Sequence, residues 1–304
     1  MPGPFDLDDE RAYRIWREKK LACYPAQIEI VELRDPRKLK ASEREALIDR
    51  CARANMAVYV SPAAQGEDKS IPRLLGLQLG LERRDGHFLA DEDGISAITP
   101  GAGSRGEFIP YTDRPIGWHT DGYYHPATRR IRAMTLHCVR DAIEGGESAL
   151  LDHELAYLLL RDADPGHVRA LSAPDAMTIP PRLEGEAVAR PAESGPVFSV
   201  DPPAGTLHMR YTARGVNIAW KDDAGTRAAR AALERLLGAD SPHVYRLRLE
   251  PGMGIVCNNV LHARSGFRDA PQRRRLLYRA RYYDRIAAQS HHSANNTPSS
   301  TLLG

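Results

Sequence analysis

His119 and Asp121 stand two residues apart in the stretch Gly117-Trp118-His119-Thr120-Asp121-Gly122. On an extended backbone, residues i and i+2 share one face. An imidazole and a carboxylate at that spacing can approach a single cation from the same side. By itself a His-x-Asp triplet is a weak signal, because chance places such pairs in many loops.

Two histidines and one carboxylate, with three coordination positions left open, make the ligand set of non-haem Fe(II) oxygenases. The second histidine must come from a distant strand. Eight histidines follow His125: His137, His153, His167, His208, His243, His262, His291 and His292. His262 has the best setting. It ends the strand-like run Gly254 to Leu261 and precedes the turn Ala263-Arg264-Ser265-Gly266. Next comes the basic stretch Arg274-Arg275-Leu276-Leu277-Tyr278-Arg279-Ala280-Arg281-Tyr282. Period two puts Arg275, Leu277, Arg279 and Arg281 on one face. Guanidinium groups inside a β core are costly unless they meet anions, and their planar fork suits a carboxylate. A solvated basic edge strand is the competing reading.

Jointly these motifs resemble the TauD/TfdA (taurine dioxygenase-like) family of Fe(II)/2-oxoglutarate-dependent oxygenases over roughly residues 117–284. The markers are Trp118-His119-Thr120-Asp121, Gly145-Gly146-Glu147-Ser148, Leu261-His262-Ala263-Arg264 and Arg274-Arg275-Leu276-Leu277-Tyr278-Arg279. The resemblance implies a mainly β fold with flanking helices (α+β), built on a double-stranded β-helix (jelly-roll, cupin-like) core. It implies iron ligands at His119, Asp121 and His262. Arg275 falls on the co-substrate arginine and Ser148 on a hydroxyl holding the same carboxylate. Arg279 falls where taurine-oxidising members bind the substrate's anionic group. Two departures weigh against taurine itself. Pro115 stands where the family has an Asn shortly before the first ligand. The histidine that assists substrate binding has no clear counterpart, with only Arg83 and His87 nearby.

The activity implied is oxidation of a small, anionic organic substrate using Fe(II), 2-oxoglutarate and O2, with release of succinate and CO2. Related halogenases lack a carboxylate at the position of Asp121, so its presence favours hydroxylation. Tyr123 and Tyr124, directly after the ligands, are candidates for the substrate pocket, with core packing as the alternative. A zinc hydrolase on the same three ligands and a non-enzymatic anion-binding β-sandwich are the rival classes.

The elements that must position these residues follow from periodicity. Helical spacing runs from Asp9 to Leu21, a short strand from Ile28 to Leu33, and a helix from Ser42 with a capping box to Glu45. Met56 to Val60 reads as a strand, so residues 1–60 form a β-α-β support beside the site. Ile71 to Leu81 is a candidate helix, and Glu82-Arg83-Arg84-Asp85 reads as a solvated turn. Ile95 to Ile98 is a strand among glycine-marked loops that would form a rim or lid. Arg132 to Val139 alternates like a half-buried strand, and Asp152 caps a helix through Leu160, in a segment ended by Asp164-Pro165-Gly166. Met177 to Ile179, Val197 to Val200, Thr206 to Tyr211, Val244 to Leu249, Gly254 to Leu261 and Arg274 to Tyr283 are further strands. Thr226 to Leu237 is a helix stopped by Gly238. Residues 285–304 form a polar tail, within which Ser290 to Gly304 is expected to be disordered in isolation.

A chain of 304 residues with 27% charged and 42% hydrophobic residues accommodates one large domain. No internal repeat or domain boundary is evident. The formal charge of +2 argues against a dedicated nucleic-acid or membrane-surface binder. No apolar run approaches the ~20 residues of a membrane span. Cys23, Cys51, Cys138 and Cys257 form no CxxC pair. Without a signal peptide they are expected to be reduced thiols in the cytoplasm. Self-association is left open.

Overall fold

A computed structural model describes residues 3–286, apart from 87–92, 102–105, 107, 186, 203, 215–217 and 239. His87, the pair His291-His292 and the polar tail from 287 onward therefore lie outside the described residues.

Two sheets face one another across the core. The larger has six strands in the order Ile30–Glu32, Met56–Val60, Met253–Cys257, Ala133–Arg140, Leu276–Tyr282, Ile95–Ile98. The smaller has four, in the order Tyr245–Leu247, Ser148–Leu151, Leu261–Arg264, Ile116–His119. All the pairings are antiparallel except that of Ile30–Glu32 with Met56–Val60, which is parallel around the helix Ala41–Ala54. This is the expected double-stranded β-helix, with the β-α-β start extending one edge of the larger sheet.

Met134, Leu150, Ile255 and Leu277, drawn from both sheets, belong to the core cluster between them. Each is all but excluded from solvent. Burial of one such side chain contributes ~1.5–3 kcal/mol relative to exposure. The larger sheet's outer face packs under Ala41–Ala54 and Ser70–Gln78 through Leu47, Cys51 and Leu75. A third cluster joins the helices Glu10–Cys23, His153–Ala163, Pro165–Leu171 and Ala224–Gly238 through Tyr13, Leu155, Val168 and Leu233.

Four local expectations are corrected. The helix cap near residue 42 is made by Glu43, which accepts the N–H groups of Lys40 (2.7 Å) and Arg34 (2.8 Å). Ser42 is already inside the helix Ala41–Ala54, so Glu43, not Glu45, is the carboxylate within reach of the first turn. Asp164 ends one helix and starts another. Its side chain accepts the Gly166 N–H at 2.7 Å, and Pro165 opens Pro165–Leu171, a position where its missing N–H costs nothing. Residues 254–261 are two strands in different sheets, because Asn259 turns the chain at φ +51°. The charged run 82–85 is not a free solvated turn. Asp85 is fully buried, paired with Arg281 and accepting the Tyr283 hydroxyl at 2.6 Å.

The arginine-rich strand lies inside the sheet, between Ala133–Arg140 and Ile95–Ile98. All seven residues of Leu276–Tyr282 are buried, which removes the reading of a solvated edge.

Candidate metal centre

The strand Ile116–His119 ends on the first candidate ligand. It pairs with Leu261–Arg264 so that His119 and His262 are direct cross-strand partners. Opposite residues share a sheet face at close range, and the two imidazole centroids are 4.1 Å apart. Both rings are oriented by the same device. His119 Nδ1 is 2.9 Å from Gly117 O, and His262 Nδ1 is 2.9 Å from Val260 O. A proton held on Nδ1 by a carbonyl leaves the Nε2 lone pair as the metal donor.

Asp121 lies one turn beyond the strand. Gly122 makes that turn at φ +69°, where a Cβ would stand 2.4 Å from Ile131 Cγ1, so glycine is needed both for its backbone and for the close approach. Asp121 Oδ1 is 4.0 Å from His119 Nε2 and accepts Arg279 Nη1 at 3.0 Å. Oδ2 is buried and has no hydrogen-bond partner. One donor atom from each of His119, Asp121 and His262 fits within 4.8 Å of the others. A buried carboxylate with one unpartnered oxygen, grouped with two imidazoles whose Nδ1 atoms are turned to carbonyls, is the donor set of a two-His, one-carboxylate metal site. The residues fit Fe(II).

The electrostatics keep these donors ready. Burial, then the neighbouring His262, pushes His119 down to about 3, and burial also lowers His262. Both rings are neutral at ordinary pH. Burial opposes ionisation of Asp121, but Arg279, Arg281 and the two histidines outweigh it and hold the carboxyl below the usual range.

A cavity opens beside the ligands, lined by His119, His262, Ser148, Arg264, Arg275 and Arg279 among apolar residues that include Ile116, Leu150 and Leu277. Arg275 is buried, packs its guanidinium 5.1 Å over the Phe267 ring and meets no carboxylate within ion-pair range among the described residues. Gly146, at φ +72°, lets it come close, since a Cβ there would stand 3.3 Å from Arg275 Nε. Ser148 lies opposite Arg264 in the sheet pairing. Tyr123 and Tyr124 do not line this cavity. The Tyr124 hydroxyl accepts Arg281 Nη1 at 3.1 Å, and the Tyr123 hydroxyl accepts Arg214 Nη1 at 3.4 Å. Arg83, near the missing substrate histidine, is paired with Asp284 at 2.7 Å.

Three contributors escaped the motif reading. Arg264 belongs to a marker motif but had no role. It lines the cavity and donates to the carbonyls of Thr112 (2.7 Å) and Arg114 (2.6 Å), tying down the segment before His119. Burial, then nearby Arg275, lowers it to about 9. The Arg281–Asp85 pair was hidden in two runs of charge. Asn259 was read as one strand residue among several, and only the paired asparagines at 258–259 hinted at a turn.

The fold is a double-stranded β-helix, and its site is a two-His, one-carboxylate set that could hold a metal. More closely, the chain belongs to the taurine catabolism dioxygenase TauD, TfdA family, whose model matches residues 23–281. It is thereby a member of the Fe(II)/2-oxoglutarate dioxygenases. Among known proteins it is 36% identical over 170 residues to a uridine-5′-phosphate dioxygenase of Amycolatopsis sp, covering 54% of this chain and 60% of that one. A uridine-5′-phosphate dioxygenase of Streptomyces sp is 32% identical over 199 residues, covering 62% and 69% respectively. The chain thus spans less than two thirds of the first relative's length. An asparagine oxygenase, solved with Fe(II), 3-hydroxyasparagine and succinate, superposes with a TM-score of 0.59 at 19% identity, covering 80% of each chain. Among the described residues no helix is long and apolar enough to cross a membrane.

Proposed function

We propose that this protein is an Fe(II)- and 2-oxoglutarate-dependent dioxygenase that hydroxylates a small anionic molecule, with a nucleoside 5′-phosphate as the leading substrate class. The observation that carries the reaction class is the convergence of His119, Asp121 and His262 beside a cavity into which a carboxylate-free arginine, Arg275, is built. The substrate class rests on the two uridine-5′-phosphate dioxygenases.

His119 and His262 would hold the iron through Nε2, and Asp121 through its carboxylate. Arg275 and Ser148 would hold the distal carboxylate of 2-oxoglutarate. Bound Fe(II) would activate O2, the oxidant, so that one oxygen atom goes into succinate as 2-oxoglutarate loses CO2 and the other into a substrate C–H bond. The protein's own part is orientation and exclusion of water. Ile116, Leu150 and Leu277 keep the co-substrate side apolar, which strengthens the pairing of a carboxylate with Arg275. Arg279, on the cavity wall and on Asp121, has a second donor face for an anionic substrate group. Tyr123 and Tyr124 are proposed to act from the rim. The whole chain is proposed to work as a single domain. A cytoplasmic location is proposed on its four free thiols.

The test is succinate release with Fe(II), ascorbate and 2-oxoglutarate across nucleoside 5′-phosphates, sulfonates and amino acids. A nucleoside 5′-phosphate should give succinate in proportion to a product gaining one oxygen atom or its cleavage products. If no compound raises succinate above the substrate-free rate and anaerobic Fe(II) plus 2-oxoglutarate gives no visible charge-transfer band, the reaction class is wrong.

A further inference from the structure

We infer that Asn259 is the positioning residue that sets the iron carboxylate against the two histidines; the inference rests on the iron centre proposed above. Its side chain closes a two-way bond on the backbone of Asp121. Oδ1 accepts the Asp121 N–H at 2.8 Å, and Nδ2 donates to Asp121 O at 3.0 Å. The same Nδ2 donates to Ile131 O at 2.7 Å. The side chain is 2% exposed, so every one of its bonds is made out of reach of water, where an unmade one is costly.

Its place in the chain explains why this residue has leverage. Asp121 is not held by the sheet, because its strand stops at His119. His262, in contrast, is fixed by two neighbouring strands. Asn259 sits three residues before His262, at the left-handed turn where the chain leaves the larger sheet at Cys257 and enters the smaller at Leu261. It therefore references the loose ligand to the rigid one. The bond to Ile131 O adds the far end of the loop that follows Asp121, whose turn at Gly122 packs on Ile131. Asparagine is suited to this position twice over. It tolerates positive φ better than most residues, and its amide offers both an acceptor and two donors.

Asn258 supplies an internal control. It is equally buried, but its side chain faces away from the ligands, donating to Asn55 Oδ1 (3.2 Å) and Ile286 O (3.2 Å) and accepting the Ile286 N–H (2.9 Å). Two adjacent buried asparagines thus divide the work. One ties the turn to Asn55 and Ile286, and the other ties it to the metal site.

The experiment is anaerobic Fe(II) binding to the metal-free protein, with the visible band of the Fe(II)–2-oxoglutarate complex and the unfolding temperature as further readouts. Asn259→Gly keeps the backbone angle and deletes the amide. It should weaken Fe(II) binding by ~10–100-fold, the usual effect of removing a partner that orients a ligand, and shift or broaden the band. Asn259→Asp keeps the acceptor and loses both donors, and it should show the same loss should the glycine variant fail to fold. Asn258→Ser should lower the unfolding temperature while leaving Fe(II) affinity and the band unchanged. Wild-type iron binding with unchanged affinity in folded Asn259 variants would overturn the inference alone, as would an equal loss in Asn258→Ser. Absence of iron binding by the wild-type protein would instead overturn the parent reading and this one with it.

Discussion

Arg279 donates Nη1 to Asp121 Oδ1 at 3.0 Å and leaves Oδ2, the other oxygen of that carboxylate, buried and free. The guanidinium thus holds the carboxylate in place beside His119, whose Nε2 is 4.0 Å from the same Oδ1. It also neutralises a charge that would otherwise be buried beside neutral rings, which is a costly arrangement. The position that suggested a substrate-binding arginine therefore has a role before any substrate arrives.

Removal of this contact should be felt first at the metal. Arg279→Ala is expected to weaken Fe(II) binding by roughly 10–100-fold, since the Asp121 carboxylate loses its orienting partner. Anaerobic titration of the metal-free protein measures it. An unchanged iron affinity together with a raised KM for the substrate would instead leave Arg279 serving the substrate alone.

The three ligands should be individually indispensable. His119→Ala, Asp121→Ala and His262→Ala are each expected to abolish iron-dependent succinate release while the two-sheet core, which none of them builds, stays folded. Circular dichroism and succinate assays report the two properties separately. Full turnover in any one of the three would exclude that residue from the centre. In the wild-type protein, Fe(II) at a hundredfold excess over its Kd should add about 2.7 kcal/mol to unfolding stability, and the ligand variants should lose that increment.

Arg275 and Ser148 should separate co-substrate from substrate. Truncating a buried group that pairs with a charge costs on the order of 2–5 kcal/mol, so Arg275→Ala should raise the KM for 2-oxoglutarate by more than tenfold. Ser148→Ala, the loss of one hydrogen bond, should cost about 1 kcal/mol. Iron affinity without 2-oxoglutarate should be unchanged in both. A normal 2-oxoglutarate KM in Arg275→Ala would move the co-substrate elsewhere in the cavity.

Acid should destabilise the metal-free protein earlier than its carboxylates alone would dictate. His137 is fully buried, with Nδ1 2.9 Å from the Tyr59 hydroxyl and Nε2 2.9 Å from Ala64 O. Burial holds it below the ordinary imidazole range, and the buried His153 is lowered in the same way. The folded form keeps these rings neutral, whereas the unfolded chain takes up protons as pH falls through ~6.5. Their contribution is complete above that pH and is lost below it, at up to about 1.4 kcal/mol per pH unit for each ring. Unfolding temperatures between pH 8 and 5 should decline from near 6.5 downward. A flat profile over that range would contradict the neutral burial of these histidines.

The core elements were legible because each carries its own local signal. Met56–Val60 and Ile95–Ile98 appear with the bounds their composition suggests, and the Asp152 cap opens His153–Ala163 as read. Which residues of Leu276–Tyr282 share a face followed from period two, since alternation in a strand is a property of the backbone, whereas its place inside the sheet did not. The break at Asn259 was not legible. Gly254 to Leu261 is apolar enough to continue as one strand, and only pairing with different neighbours divides it. Asp85 was misread for a similar reason. Its charge signals solvent until Arg281, 196 residues away, is brought to it.

The sequence by itself determined the chemistry, because the ligand types, the basic strand and the order of the motifs are facts about side chains and spacing. Tertiary structure alone decided the arrangement that makes them a centre. Cross-strand register set His119 against His262, Arg279 paired with the Asp121 carboxylate, and Asn259 bound the two ligand segments together. Each of these is a contact between residues more than a hundred positions apart, and such a contact depends on how the sheets close over the core.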